Sequence, residues 1–195
     1  RDKKIPLLVD EWGIWTDVEP GTNPGHLFQQ NSMRDALIAA TTLDILNRHC
    51  DRVKMANIAQ IVNVLQSMIL TKGNQMILTP TYHVFKMFTV HQDATFLPSG
   101  LICEKYELNN EQIPAISSSA SVDKNGKIHV TLSNLNPKKE IKLDVNLKGK
   151  VFSKVSSATV LTAPEFNSVN TFDKPNVVAP VSFKNFNKVA DSKLE

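Results

Sequence analysis

Apolar positions follow two different patterns along the chain, and the change comes near its middle. Residues 5–9, IPLLV, form a short continuous apolar run of the kind found in strands covered on both faces of a parallel sheet. Residues 52–59, RVKMANIA, form a second run of this type. Two such strands need helices outside them and further strands beside them, so they predict part of a larger α/β sheet.

A long helix is predicted between these two strands. Ser32 and Asp35 give a capping signal, and apolar residues then repeat at helical spacing from Met33 to Leu43, so the helix should end near His49. The order strand, long helix, strand is that of a βαβ crossover. Residues 81–92, TYHVFKMFTVHQ, predict one more outer helix. The intervening run IVNVLQSMIL is interpreted as helix or buried connection.

From about Asp93 the helical spacing gives way to short alternating segments separated by turn signals. The segments include KIHVTL at 127–132, IKLDVNL at 141–147 and VFSKVSSATVL at 151–161. Strands at roughly ten-residue intervals favour an antiparallel sandwich. We therefore expect a boundary near residue 93, with residues 1–92 in one domain and 93–195 in another. The serine-rich stretch 117–121 fits a polar strand or a sheet edge.

Composition removes several classes of function. The 195 residues are 42% hydrophobic, which suffices for a core, and the net charge of +3 is spread without a basic run, so nucleic acid is not an expected partner. No apolar stretch reaches the roughly 18 residues that span a bilayer, and the first residues lack the pattern of a signal peptide. We therefore expect a soluble protein, with the compartment, cytoplasmic or secreted, left undecided. Cys50 and Cys103 lack metal-ligand spacing, so buried free thiols are expected, with a disulfide left open.

Candidate chemistry lies at the end of the first strand, in VDEWGIW. Side chains alternate along a strand, so Asp10 and Glu11 cannot enter one pocket together. One carboxylate at the carboxyl end of a parallel strand is nevertheless where α/β enzymes place catalytic groups. Trp12 and Trp15 offer flat apolar faces suited to stacking on a sugar ring. The alternative is an ion pair beneath two packing indoles.

Polar residues also interrupt the end of the second strand. Asn57 and Gln60 there either hydrogen-bond the scaffold or face ligand hydroxyls. His26 lies in the loop after the first strand and is interpreted as solvated, although contact with substrate stays open. The helical residues His49, His83 and His91 are interpreted as surface or packing.

The motifs VDEWGIW, HCDRVKMANIAQIVNVL and LTPTYHVFKMFTVHQDATFLP together resemble the C-terminal part of the α-L-arabinofuranosidases of glycoside hydrolase family 51. The resemblance runs from residue 5 to about 98 and resumes weakly in NSVNTFDKPNVVAPV. It implies the last strand and helix units of a (β/α)8 TIM barrel, followed by an antiparallel, jelly-roll-like β-sandwich. That is an α/β part plus an all-β part, in agreement with the two patterns.

The resemblance also assigns roles to individual residues. Glu11 resembles the catalytic nucleophile of a retaining glycosidase, Trp15 the tryptophan lining the arabinofuranose pocket, and Gln60 a glutamine that hydrogen-bonds the sugar. The implied activity releases terminal α-L-arabinofuranosyl residues from arabinan or arabinoxylan, with no cofactor, no metal and no membrane or nucleic-acid partner. A homo-oligomeric parent is compatible with the family.

The sequence departs from the family at one decisive point. The family's acid/base glutamate lies in an Asn-Glu motif after the fourth barrel strand, which this chain does not contain. Asn110-Glu111 lies in the sandwich half and cannot serve. The chain alone is therefore expected to be inactive, with residues 1–92 poorly ordered, paired with another chain or rearranged. The alternative function is a noncatalytic β-sandwich that binds carbohydrate or has a structural role.

Overall fold

The computed structural model describes residues 4–190 and 192–194. Within these residues, two α-helices and four strands precede residue 93, and ten strands follow it. The helices are α1 (Met33–Arg48) and α2 (Pro80–Phe88). The strands are β1 (Leu7–Val9), β2 (Val53–Ala56), β3 (Ile69–Lys72), β4 (Gln75–Leu78), β5 (Thr95–Phe96), β6 (Lys105–Leu108), β7 (Glu111–Pro114), β8 (Ile116–Val122), β9 (Ile128–Asn134), β10 (Val145–Asn146), β11 (Thr159–Leu161), β12 (Pro180–Ser182), β13 (Lys188–Ala190) and β14 (Lys193–Leu194).

The first half contains the predicted βαβ unit. Strands β1 and β2 pair in parallel, with Leu7 opposite Val53 and Val9 opposite Ala56, and α1 connects them. The capping box at the start of α1 is formed, because the Asp35 carboxylate accepts from the backbone N–H of Ser32 at 2.8 Å. The helix therefore begins and ends within one residue of the positions that the sequence indicated.

The short β1–β2 sheet leaves much apolar surface exposed. Leu8 on β1 keeps 51% of its surface accessible and Met55 on β2 keeps 48%. The sequence predicted both strands to be covered on both faces, and within the described residues they are not. Parallel strands are usually covered on both faces and hydrogen-bonded along both edges, so this exposed two-stranded sheet is unusual for its class.

The run after Gln60 was interpreted as helix or buried connection, and the structure shows a partly buried connection without a helix. Its last two residues begin the hairpin β3–β4 at 69–78, whose turn is Gly73-Asn74. Gly73 adopts a φ of 59°, which a two-residue hairpin turn requires. The Gly-Asn dipeptide between two apolar runs is a sequence signal for a hairpin turn. It was missed because the apolar run before it was interpreted as helix or buried connection. The residues just before the hairpin, Leu65 to Ser67, are buried.

The main hydrophobic core lies between α1 and α2. Small residues on one face of α1, namely Ala36, Ala39 and Ala40, let the two helices approach closely around Leu43 and Val84. Trp12, Met33, Ala56, Phe85, Phe88 and Leu161 pack against this cluster. Trp12 and Leu161 thus join the loop after β1 and a strand of the second half to the same core.

The second half consists mostly of small antiparallel sheets. The longest pairing joins β8 to β9, and β5 flanks the other edge of β8. The serine-rich stretch is therefore a central strand and not an edge. The predicted strands at 141–147 and 151–161 shrink to Val145–Asn146 and Thr159–Leu161, because only these short parts find hydrogen-bonding partners.

The contact between α1 and the β8–β9 sheet is polar. Asp44 of α1 is fully buried, and its carboxylate accepts hydrogen bonds from Ser117 Oγ at 2.6 Å and Thr131 Oγ1 at 3.2 Å. Burial raises the pKa of Asp44 above its usual value, although these hydroxyl groups oppose the rise. Ser117 on β8 and Thr131 on β9 thus bind the buried carboxylate of α1, which explains why this polar sheet face can be buried.

His91 belongs to the same polar contact. Its ring nitrogens lie 2.7 Å from Ser121 Oγ and 3.2 Å from Thr131 Oγ1. Burial, with a smaller contribution from the charge of His129, lowers the pKa of His91 to about 4. The expectation that this histidine serves packing agrees with its position, and the packing is between the helical and the β-rich parts of the chain.

A C-terminal segment, residues 166–170, caps the N-terminus of α1 by backbone hydrogen bonds. The free N–H groups of Met33 and Arg34 donate to the carbonyls of Ser168 at 3.0 Å and Phe166 at 2.9 Å. Nearby, the Asn170 side chain donates to the carbonyls of Leu78 and Val178, each at 2.9 Å. The stretch that resembled the family's ending is therefore packed against the helical part.

Both cysteines are free thiols, and Cys50 is exposed at the end of α1 instead of buried as the sequence suggested. Among the described residues, no helix combines the length and the apolar character that crossing a membrane requires.

The polar contact should make stability depend on pH. Folding lowers the pKa of His91 from 6.5 to about 4, so the unfolded chain binds the extra proton between these values. The His91 contribution is therefore complete above about pH 6.5 and is lost as the pH falls toward 4. Urea unfolding measures the free energy of unfolding of the wild type and of His91→Gln. The wild-type value minus the variant value should rise as the pH is raised from 4 to 6.5 and stay level above pH 6.5. A difference independent of pH would contradict the assigned contact.

Candidate active site

The parallel pairing brings two candidate residues to one edge of the structure. Glu11 follows β1 by two residues and Gln60 follows β2 by four, and both strands end at the same edge because they run in parallel. The backbone N–H of Asn57 continues this pairing by donating to the carbonyl of Val9 at 2.8 Å. The loops that carry the two residues therefore start side by side.

Asp10 and Glu11 have different environments. Asp10 Oδ1 accepts a hydrogen bond from Asn57 Nδ2 at 3.1 Å, which joins the ends of the two strands. Glu11 is exposed, and among the described residues its carboxylate makes no hydrogen bond or ion pair. Asp10 and Asn57 thus act as scaffold, whereas the Glu11 oxygens are available to a ligand.

The two tryptophans are also divided between core and surface. Trp12 stacks on Phe85 with ring centroids 5.9 Å apart and planes 18° apart, against the α1–α2 core. Trp15 keeps 65% of its surface exposed. Together with Thr16, Asp17 and Val18 it lines an open depression of about 610 Å³. Of the two indoles, only that of Trp15 is placed to contact a ligand.

Gln60 and His26 are both exposed. Gln60 lies in the loop after β2, and His26 ends the short 3-10 helix Pro24–His26. The solvated interpretation of His26 agrees with this exposure. The structure gives neither side chain a hydrogen bond within the described residues, so neither is engaged as scaffold.

Two glutamines that the sequence analysis did not select support the loop between Glu11 and Trp15. Gln66 Nε2 donates to the carbonyl of Ile14 at 2.6 Å and to Asp35 Oδ1 at 3.1 Å. Gln29 Nε2 donates to the same Ile14 carbonyl at 2.9 Å. Polar residues inside the apolar run IVNVLQSMIL were the available signal for Gln66, since a buried amide requires partners.

Gly13 allows Gln66 to approach this loop. Its φ is +130°, and a Cβ atom at this position would lie 2.6 Å from Gln66 Cγ. Glycine is required on both grounds, because L residues avoid this backbone conformation and the space is filled by a hydrogen-bonded side chain.

No group of three or more histidine, cysteine, aspartate or glutamate side chains in the described part of the chain could hold a metal ion. The loops that follow β1 and β2 carry an unpaired carboxylate (Glu11), an exposed indole (Trp15) and an exposed amide (Gln60). Such a set can bind a polyol by stacking and hydrogen bonding, and it can supply an oxygen nucleophile.

Comparison with known proteins identifies the family. Residues 10–195 match the sequence profile described as the alpha-L-arabinofuranosidase C-terminal domain. The chain belongs to this family. The resemblance to family 51 arabinofuranosidases, first based on motifs, is thereby confirmed.

Relatives of this C-terminal domain are considerably longer. The chain is 54% identical over 185 residues to the intracellular exo-alpha-L-arabinofuranosidase of Bacteroides ovatus, covering 94% of this chain and 36% of that protein. The family 51 arabinofuranosidase structure from Xanthomonas axonopodis pv. citri aligns with a TM-score of 0.93 at 46% identity, covering 97% of this chain and 38% of that one. The Thermotoga maritima arabinofuranosidase in complex with arabinose aligns with a TM-score of 0.77 at 28% identity, covering 91% and 38%. The chain thus spans little more than a third of these relatives.

The phenylalanines of the β-rich half include two exposed rings, Phe166 and Phe183. Phe183 and Phe186 contact each other with centroids 6.4 Å apart, and Lys188 Nζ lies 5.2 Å from the Phe152 ring centroid. The alternative of a sugar-stacking surface in this half stays a prediction.

Gly13→Ala should destabilise the chain by at least about 2 kcal/mol, because backbone strain and overpacking against Gln66 add together. Gly21→Ala is the matched control, since Gly21 also has a positive φ, of +85°, but no atom lies within 4 Å of the added Cβ. Urea unfolding measures both. Equal losses for the two variants would show that the contact with Gln66 contributes nothing.

Proposed function

We propose that this chain is the C-terminal part of an exo-acting, retaining α-L-arabinofuranosidase of family 51. The observation that supports this most directly is the parallel β1–β2 pair, whose carboxyl ends carry Glu11 and Gln60 into neighbouring loops. The substrate class is arabinan or arabinoxylan, or oligosaccharides derived from them, with terminal nonreducing arabinofuranosyl groups. The intracellular, exo-acting character in the name of the Bacteroides ovatus relative extends to this protein as part of the proposal.

The proposed architecture divides the chain near residue 93. Residues 1–92 supply the last strand and helix units of a (β/α)8 barrel, and residues 93–195 form a jelly-roll-like β-sandwich. The βαβ unit and the exposed apolar faces of β1 and β2 support the first assignment, since a barrel would cover both. The succession of antiparallel pairs from β5 onward supports the second.

Glu11 is the proposed nucleophile. Its carboxylate attacks the anomeric carbon, a covalent glycosyl-enzyme forms, and the bond to the leaving oxygen breaks as a second carboxylic acid protonates that oxygen. The second group then removes a proton from water, which releases arabinose and regenerates Glu11. In a retaining enzyme these two carboxyl groups lie about 5 to 5.5 Å apart.

Trp15 and Gln60 are the proposed sugar-binding residues. The exposed Trp15 indole offers an apolar face to the C–H side of the furanose ring, and the Gln60 amide donates to or accepts from its hydroxyl groups. Asp10 takes no part in the reaction, because its oxygen accepts from Asn57.

The acid/base residue must come from outside this chain. The Asn110-Glu111 pair lies at the turn of the β6–β7 hairpin, where Asn109 and Asn110 have φ values of 50° and 68°. Those positive φ values fit a turn, and the hairpin belongs to the proposed sandwich. Without a general acid, the chain alone lacks a contribution of about 10² to 10⁴ in rate.

In the full-length protein, Glu11→Gln should lower kcat for an aryl α-L-arabinofuranoside by at least about 10³-fold, because the amide cannot form the glycosyl ester. Asp10→Asn is the control and should retain most of the activity, because the asparagine oxygen still accepts from Asn57. Release of the aryl group is followed by absorbance. Activity that survives Glu11→Gln would refute the nucleophile assignment.

Residues 1–195 expressed alone should hydrolyse the same substrate at less than about 1% of the full-length rate, since the general acid is missing. The comparison is made at equal molar concentration, with circular dichroism to verify folding. A comparable rate from a folded, isolated chain would contradict the proposed division of the active site.

A further inference from the structure

The backbone around Trp15 is held more firmly than its exposed ring requires. The indole keeps 65% of its surface accessible and makes no ring contact with another aromatic group in the described residues. The carbonyl before it, on Ile14, and the N–H after it, on Thr16, are nevertheless both bound by buried side chains. An exposed side chain on a clamped backbone is a common arrangement for a ligand contact.

The side chains of Gln29 and Gln66 form this clamp on the backbone, and Gln29 is its first part. Its Nε2 donates to the Ile14 carbonyl at 2.9 Å, and its Oε1 accepts from the Thr16 N–H at 2.9 Å. A neighbouring strand would offer a peptide group in the same way, so the amide of Gln29 replaces a strand beside Trp15. Thr16 Oγ1 adds a third bond to Oε1 at 3.3 Å. Gln29 keeps only 2% of its surface accessible.

Gln66 forms the second part. It occupies the other acceptor site of the Ile14 carbonyl at 2.6 Å and is itself fixed by Asp35 Oδ1 at 3.1 Å. Its Cγ packs so close to Gly13 that no Cβ atom would fit between them. The Ile14 carbonyl thus accepts from two buried amides, which secures the backbone one residue before Trp15.

Two buried amides are costly to desolvate, and the bonds to Ile14 and Thr16 offset that cost only while the loop keeps this geometry. The loop is therefore coupled to the core through Asp35 on α1. An aromatic ring that is ordered before binding loses less conformational freedom when a ligand stacks on it.

We propose that Gln29 is a positioning residue that holds Trp15 against the arabinofuranosyl ring, with Gln66 as its support. The inference rests on the proposed function and goes beyond it, because it assigns ground-state sugar affinity to a residue that does not contact the sugar. Loss of the clamp should affect KM far more than kcat, since Trp15 binds the ring while Glu11 performs the chemistry.

The test uses Gln29→Met in the full-length protein with an aryl α-L-arabinofuranoside. Methionine keeps the length of the side chain and removes both amide bonds. KM should rise about tenfold while kcat changes less than about threefold. Gln30→Met is the matched control, because the neighbouring Gln30 is exposed and the same substitution there should leave both constants unchanged.

A second variant separates positioning from folding. In Gln29→Glu the ionised carboxylate cannot donate to the Ile14 carbonyl, whereas the protonated acid can donate to it and still accept from Thr16. The KM of this variant, divided by that of the wild type at the same pH, should therefore fall as the pH is lowered from 7 to 5. A merely misfolded variant would not recover in this way.

The outcomes distinguish the two proposals. A wild-type protein that hydrolyses no arabinofuranoside overturns the proposed function. An active wild type with an unchanged KM in Gln29→Met, or with kcat lowered as much as kcat/KM, overturns only the positioning inference. A raised KM ratio in Gln29→Glu that does not respond to pH also overturns it.

Discussion

The structure depends above all on two carboxylates, Asp35 and Asp44, that are buried on opposite flanks of α1. Nine residues at 100° each place them about half a turn apart, on either side of the alanine face that meets α2. Burying a carboxylate removes it from water, which costs free energy unless hydrogen-bond donors surround its oxygens. Asp35 finds them in Ser32, Arg34 and Gln66, and Asp44 in Ser117 and Thr131. One helix thereby fixes both the loop after β1 and the sheet of the second half.

This arrangement connects the candidate site with parts of the chain far from it. Asp35 fixes Gln66, and Gln66 fixes the Ile14 carbonyl next to Trp15. The N-terminus of the same helix is closed by the carbonyls of Phe166 and Ser168 from the C-terminal segment. The β-rich half therefore supports the α/β half by direct hydrogen bonds. In a barrel enzyme, such support keeps the loops at the carboxyl ends of the strands in place for chemistry.

Local signals predicted much of the helical half. The capping box at Ser32 and Asp35 fixed the start of α1 because both partners lie within one turn, and the apolar runs on either side predicted the parallel strands. Long-range pairings were not predictable in the same way. Gln66 and Ile14 are 52 residues apart, and Asp44 and Thr131 are 87 apart, so no window of sequence contains both partners. The proposed roles of Glu11, Trp15 and Gln60 rest on motifs in the sequence, whereas the hydrogen bonds that support the loop beside them are seen only in the structure.

The central claim is that Glu11 is the carboxylate that attacks the sugar. The most direct measurement is to incubate the full-length protein with a mechanism-based epoxide of arabinofuranose configuration and to map the adduct by mass spectrometry of peptides. Opening of the epoxide leaves a stable ester on the attacking carboxylate. We expect one adduct, on Glu11 in the peptide that contains Trp12 and Trp15. An inactivated enzyme with the ester on any other carboxylate would contradict the assignment.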